Sequence, residues 1–229
     1  MNNSNRFGEI QDMYGGIFMS CRLCGSQKVE RIEPEEYLYC LNCGFIMIEL
    51  GELPEPVEEI ERYEEHDNSF NSPGYVKMFH DFIEWGLRDV LAGVDTALDF
   101  GAGPGPVLAE LLREHGIDVS LYDPFYYHYP ERLNKKYDLI TSTEVFEHLH
   151  YPAKEIEVLV GALKPEAYLA VMTHFHPGPE KFAGWWYKYD DTHVGFYNRK
   201  TMEWVAKNYG MKIIKIDDHK QVLFQKNRG

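Results

Sequence analysis

The chain has 229 residues, 44% of them hydrophobic and 26% charged, a balance too apolar for a disordered chain and long enough to bury a core without covalent staples. Lys and Arg number 23 against 37 Asp and Glu, and the formal net charge of −14 repels a phosphate backbone unless one face carries a local basic patch. No uncharged apolar run approaches the ~18 residues of a membrane span, and the polar start MNNSNRFGEIQDMYGG does not read as a secretory signal; a soluble, cytoplasmic chain with no membrane partner is expected.

Four cysteines fall in two pairs, Cys21-Arg-Leu-Cys24 and Cys40-Leu-Asn-Cys43, with fifteen residues between the pairs. This is two-knuckle zinc spacing: a CxxC turn sets two thiolates on one side of a tetrahedral ion, at ~2.3 Å from it. Gly25 and Gly44 follow the second cysteine of each pair, where the turn needs a positive φ. Two disulfides are the competing arrangement, and a reducing compartment disfavours them. Four thiolates fill the coordination sphere, so the expected role is structural. The runs Glu36–Tyr39 and Phe45–Ile48 are expected to form a small ribbon around the ion.

From Glu49 to Asp67 the chain carries Pro54, Pro56 and nine acidic residues against Arg62, which reads as a solvated linker. The expected organisation is a ribbon over residues 1–52, an acidic linker over 53–71 and a main domain over 72–229. That domain opens with Ser72-Pro73, a cap followed by Pro at the first helical position. Val76, Phe79, Phe82, Ile83, Leu87 and Val90 follow at helical spacing, and this helix should pack on the main sheet. Strands are expected at 96–100, 118–122, 137–142 and 168–172. Helices are expected at 106–115, 152–163 and 201–209, and a closing antiparallel hairpin at 213–217 and 221–225. The alternation argues for an α/β fold with a mostly parallel, Rossmann-like sheet.

The most informative stretch is Leu98-Asp99-Phe100-Gly101-Ala102-Gly103-Pro104-Gly105-Pro106, running from a strand into a helix. Bare backbone there allows close approach of a ligand, and a helix N-terminus offers unpaired N–H groups. Asp123 follows twenty-two residues after Gly101, at the end of the next strand, where a carboxylate can accept both hydroxyls of a ribose. A dinucleotide-binding fold wants a third glycine where Pro106 stands, which weakens a nicotinamide-dependent oxidoreductase, and no Gly-Lys-Ser/Thr supports a P-loop. The Asp-x-Gly-x-Gly-x-Gly pattern at Asp99, Gly101, Gly103 and Gly105 resembles motif I of the class I S-adenosylmethionine-dependent methyltransferases, of the ubiquinone-methylase-like kind. The resemblance spans roughly residues 72–226. It continues through Leu121-Tyr-Asp-Pro124, through Tyr137-Asp-Leu-Ile…Glu144-Val-Phe-Glu147-His148, and through Leu163-Lys-Pro-Glu-Ala-Tyr-Leu169. One departure is visible. Only fourteen residues separate Asp123 from Asp138, so the usual third strand and its helix are missing or shrunken, and Tyr122 or Phe125 is left to cover the adenine.

The resemblance implies S-adenosylmethionine as cofactor. Asp99 would meet its amino group, Phe100, Gly101, Ala102, Gly103 and Gly105 would line its methionine end, Asp123 and Pro124 would hold the ribose side, and Thr143 and Glu144 would flank the sulfonium. Methyl transfer needs in-line alignment and, for some acceptors, removal of a proton. Candidates for that work are Glu144, Glu147, His148 and His193, with His193 favoured as base. Glu144-x-x-Glu147-His148 also resembles the cluster that binds a divalent ion in ubiquinone-pathway and small-RNA O-methyltransferases, so Mg²⁺ there is a further expectation. Trp185, Trp186 and Tyr187 are aromatic for a connection and can wall a substrate pocket or pack the loop on the core. The reading is an S-adenosylmethionine-dependent methyltransferase with structural Zn²⁺ on Cys21, Cys24, Cys40 and Cys43. Its acceptor would be a small molecule, at oxygen, nitrogen or carbon. An RNA- or protein-directed methyltransferase or binding module that uses the ribbon for recognition is the alternative.

Overall fold

The computed structural model describes residues 19–54 and 69–228; the polar start and most of the acidic linker lie outside them. Among the described residues, ten strands form two sheets. The ribbon strands are β1 (Val29–Ile32), β2 (Tyr37–Cys40) and β3 (Ile46–Ile48), joined by β8 (Gly195–Phe196) in the order β1-β2-β3-β8. The larger sheet contains β4 (Thr96–Phe100), β5 (Asp118–Tyr122), β6 (Tyr137–Thr143), β7 (Leu163–Met172), β9 (Met211–Ile216) and β10 (Gln221–Lys226), in the order β5-β4-β6-β7-β10-β9. β5, β4, β6 and β7 are parallel neighbours, while β10 runs antiparallel to both β7 and β9.

The expected elements fall within a few residues of their sequence positions, and the differences have local causes. β1 has the sequence VERI, whose two central residues are exposed, so no apolar alternation marks it. Ser72 stands at the N-cap of helix α1 (Pro73–Phe82), but its side chain makes no capping bond; Pro73 sets the start. The helical spacing seen to Leu87 is real, but Ile83–Leu87 widens into a π turn, with Arg88 N donating to Ile83 O at 3.0 Å. β7 begins at Leu163 and carries the Lys164–Ala167 turn as an irregularity within the strand, with Glu166 at φ 63°.

Two of the motif segments turn out to be one lock. Asp138 Oδ2 accepts from Thr96 N at 3.0 Å and Oγ1 at 2.8 Å, and Lys164 Nζ donates to both carboxylate oxygens at 2.9 and 2.8 Å. Burial opposes ionisation of Asp138, but these donors outweigh it and hold the carboxyl below its usual range. The start of β6 is thereby fastened to β4 and β7 together.

Between β5 and β6 there is a turn at Pro130–Asn134 and no strand, so β5 forms the sheet edge. Two arginines cover that edge: Arg113 donates to Val119 O at 2.7 Å and Arg132 to Leu121 O at 2.5 Å. On one face of the sheet α1 packs with α2 (Val107–Glu114) through Phe79, Phe82, Leu108 and Leu112 against Ala97, Leu139 and Met172. On the other face lie α3 (Pro152–Ala162) and α5 (Arg199–Asn208), with the short α4 (Pro179–Phe182) in the connection that leads to β8. Each fully buried Leu or Phe here contributes about 1.5–3 kcal/mol.

The ribbon is built into this second face. Leu23, Leu38, Phe45 and Met47 share one core with Phe146, Ile156, Leu169 and Tyr197. The reason is visible at β8. Gly195 lies so close to the ribbon that a Cβ added there would sit 2.7 Å from Phe45 Cζ, so glycine is what lets the two backbones pair.

Candidate active site

The first strand-to-strand step, β4 to β5, goes to one side of β4, and the next, to β6, goes to the other. Open α/β sheets form their ligand crevice where the order reverses in this way, beyond the carboxyl ends of the strands. The glycine loop after β4 lies there. Gly101 and Gly103 have φ of 79° and 58°, and Gly101 N and Ala102 N donate to Tyr122 O at 2.8 and 3.2 Å, tying the loop to the end of β5. Asp123 completes the fastening: its Oδ2 accepts from Gly103 N at 3.0 Å and its Oδ1 from Phe125 N and Tyr126 N at 2.8 and 3.0 Å. The carboxylate expected at a ribose thus already shapes the loop, at 6% exposure.

Two cavities flank the loop. One of about 510 Å³ is lined by Asp99, Gly101, Ala102, Gly103, Gly105, Thr143 and Glu144, and on its far side by Glu147, His148 and His193. The other, of about 420 Å³, is lined by Phe100, Gly101, Tyr122, Asp123, Pro124, Phe125 and Val145. Gly101 and His148 border both. All the non-cysteine residues named from sequence as catalytic or cofactor-binding candidates therefore line one cavity or the other. Asp99 is 3% exposed and accepts from Thr141 Oγ1 at 2.8 Å; burial pushes its carboxyl up to about 6.

On the far side of the larger cavity the groups are acid–base partners. Glu144, at φ 54°, ends β6 in the left-handed region and is held by its own N–H donating to Met172 O at 2.8 Å. Its Oε2 lies 2.8 Å from the Tyr187 hydroxyl, which also meets Glu147 Oε1. A phenol has one proton and donates to one of them; the second contact uses the proton of a neutral carboxyl. Glu144 is the group set up to carry it, since burial and then the Glu147 charge push it up to about 8. Burial and both carboxylates raise Tyr187 well above its ordinary value, so the phenol keeps its proton. Glu144 Oε1 and Glu147 Oε2 are buried with no hydrogen-bond partner.

Two imidazoles complete the cluster. His148 Nδ1 lies 3.0 Å from Thr192 O and His193 Nδ1 lies 2.7 Å from Tyr187 O. A carbonyl only accepts, so each Nδ1 carries a proton, and in a neutral ring the lone pair is then on Nε2. Burial lowers the His193 pKa and favours this neutral form. One ligand atom each from Glu147, His148 and His193 lie within 4.8 Å of one another. A carboxylate, two imidazoles tethered through Nδ1 and an orphaned carboxylate oxygen are a donor set that fits a divalent ion.

Tyr187 was legible from sequence only as an aromatic wall, and its bridge to residues some forty positions earlier leaves no local signal. Sequence reasoning also passed over Tyr75, Met78 and Phe79 of α1 and Lys220 at the start of β10, which line the same cavity. Trp186 and Tyr189 stand at its rim, 60% and 65% exposed, whereas Trp185 packs inward on Phe182 and Phe196. His174 lies against Trp186 and Tyr187, and burial brings it down to about 4. His176 is structural: its Nε2 donates to Gly44 O at 2.9 Å, fastening the second cysteine knuckle.

The four cysteines come together with Sγ separations of 3.6 Å (Cys21–Cys43) and 3.5 Å (Cys24–Cys40). These are far beyond a disulfide and close to the ~3.8 Å edge of a tetrahedron with ~2.3 Å zinc–sulfur bonds. Gly25 and Gly44 take φ of 69° and 78°, and each donates to the first cysteine carbonyl of its pair at 2.8 Å, as the spacing required.

Residues 63–216 match a family model described as a methyltransferase domain, about two thirds of the chain. The chain belongs to the methyltransferase-domain family. Solved structures agree on the fold. An O-methyltransferase family protein from Burkholderia thailandensis superposes with a TM-score of 0.54 at 16% identity, covering 78% of this chain and 65% of that one. A SAM-dependent methyltransferase from Archaeoglobus fulgidus gives a TM-score of 0.50 at 15% identity, over 66% of this chain and 92% of that one. The chain thus spans slightly under two thirds of the Burkholderia protein's length. A comparison with curated proteins gives no match. Among the described residues, no helix is long and apolar enough to cross a membrane.

Proposed function

We propose that the chain transfers the methyl group of S-adenosylmethionine to a hydroxyl of a small-molecule acceptor. The observation that carries this is the junction of the two cavities at Gly101, with a neutral-carboxyl, carboxylate and imidazole cluster facing the glycine loop from across the larger one. The methionine end would lie over Gly101–Gly105 with its amino group near Asp99. The adenosine would extend past Gly101 into the cavity beside Asp123, where Tyr122 and Phe125 supply ring faces in place of the absent third strand. The acceptor would enter past Trp186 and Tyr189, with its hydroxyl toward His193.

When bound, S-adenosylmethionine would supply a methyl group to the acceptor oxygen, its carbon–sulfur bond breaking to leave a neutral thioether, and the hydroxyl proton would pass to a neutral imidazole, for which His193 Nε2 is suited by its tautomer. Glu144, Glu147 and His148 would hold a divalent cation such as Mg²⁺, which supplies Lewis-acid polarisation of a hydroxyl when bound, and the His193 lone pair would stay free for the proton. Cys21, Cys24, Cys40 and Cys43 would hold a structural Zn²⁺. The −14 net charge supports a small acceptor over RNA.

Calorimetry with S-adenosylhomocysteine tests the cofactor part: binding is expected, and tight NADH binding with no response to the homocysteine product would end the reading. With an acceptor in hand, His193→Ala should lower kcat by ~10²–10⁴; unchanged turnover would reduce His193 to packing.

A further inference from the structure

Arg22 lies inside the first cysteine knuckle, yet its guanidinium serves the other side of the molecule. Nη1 donates to His150 O at 2.9 Å, and Nη2 donates to Val194 O at 2.5 Å and Ile48 O at 3.3 Å. Its backbone N–H is turned to Met47 Sδ at 3.3 Å. Among the described residues it has no carboxylate within ion-pair distance. Burial lowers its pKa to about 10, and it stays charged at neutral pH. A partly buried cation is thus spent on three main-chain carbonyls.

Two of those carbonyls have a meaning. His150 is two residues after His148, and Val194 is the residue after His193. Val194 is also a crossing point: its N–H donates to Glu147 O at 2.8 Å and its carbonyl accepts from Ile48 N at 3.1 Å. The segments that carry Glu147, His148 and His193 are therefore joined to each other at Val194 and to the knuckle through Arg22. Among the described residues, the hydrogen bonds of the glycine loop run instead to Tyr122 and Asp123.

We infer that the cysteine knuckle acts, through Arg22, as the positioning element of the acceptor side, fixing His148 and His193 against one another. Arg22 is a positioning residue that reaches the site through main chain alone. The inference rests on the reading of those imidazoles as the acceptor side. It also gives the ribbon a role beyond covering apolar surface.

The test compares zinc-loaded wild type with Arg22→Met and Arg22→Lys. Long-range ¹H–¹⁵N spectra report the tautomer of each imidazole, and calorimetry reports S-adenosylhomocysteine affinity. In Arg22→Met, which should keep its zinc, the His148 and His193 signals should lose the single Nδ1–H pattern while His115 is unmoved. Arg22→Lys keeps the charge but not the fork, so it should show the same change in lesser degree and decides the matter if the methionine variant does not fold. Wild-type imidazole spectra in the variants would overturn the inference. Failure of the cofactor reading is seen separately, as wild-type protein that does not bind S-adenosylhomocysteine.

Discussion

Replacing Gly101 by alanine loads the glycine loop in two separable ways. At φ 79° a side chain pays a left-handed penalty of about 1–2 kcal/mol. The new Cβ would also stand 2.2 Å from Val145 Cγ2 and 2.9 Å from Cγ1, where ordinary contact begins near 3.4 Å. Overpacking of this kind costs about 1–3 kcal/mol. Together the loss is about 2–5 kcal/mol, against a domain stability of about 5–15 kcal/mol, so the variant should fold with a Tm lower by roughly 4–20 °C. Val145→Ala removes both offending methyl groups and leaves Val145 Cβ at 3.2 Å. The double variant should therefore recover about 1–3 kcal/mol of the clash but none of the φ penalty. Chemical denaturation of the four proteins gives the coupling energy, and calorimetry with S-adenosylhomocysteine gives the functional cost, expected to be tenfold or more for Gly101→Ala because Val145 is driven between the two cavities. Additivity of the two single changes within about 0.5 kcal/mol would refute the steric account.

Glu144 makes stability depend on pH. Its folded pKa of about 8 lies above the ordinary 4.5, so the folded state holds a proton that the unfolded chain releases. This contribution is intact below about pH 4.5 and is lost as pH rises toward 8, by at most ~1.4 kcal/mol per unit. Glu144→Gln should flatten the curve over that window, and parallel curves for the two proteins would contradict the assignment. Gly195→Ala should force Phe45 away from β8 and lower stability by about 1–3 kcal/mol; a neutral effect in thermal denaturation would show that the ribbon can retreat freely. Cys43→Ser should lower zinc content well below one ion per chain by metal analysis and destabilise the protein, whereas full zinc content would remove Cys43 from the ligand set.

The parts of this protein legible in its sequence are those set by short-range rules. The cysteine spacing, the glycine loop with Asp123 downstream, and the strands around Leu98 and Ile140 all follow from turn geometry and apolar runs. What was hidden depends on long-range pairing. A two-residue strand, Gly195–Phe196, has no periodicity to read, so the union of ribbon and main fold at β8 left no trace beyond a glycine. The Tyr187 bridge joins two carboxylates to a hydroxyl in a distant connection. Asp123 shows a subtler limit: its position was clear, but its three backbone N–H partners became visible only once the loop was folded around it.

The β3–β8 pairing also dictates an order of events during synthesis. Ile46 and its partner Phe196 are 150 positions apart, and a ribosome adding ~5–20 residues per second needs roughly 8–30 s to supply the second after the first. For that interval the nascent ribbon has neither its fourth strand nor the apolar floor beneath Phe45. On the proposed Zn²⁺ reading, capture of the ion by the four thiolates would keep so small a piece ordered while it waits, and zinc supplied during translation would then raise the yield of folded protein more than zinc added later.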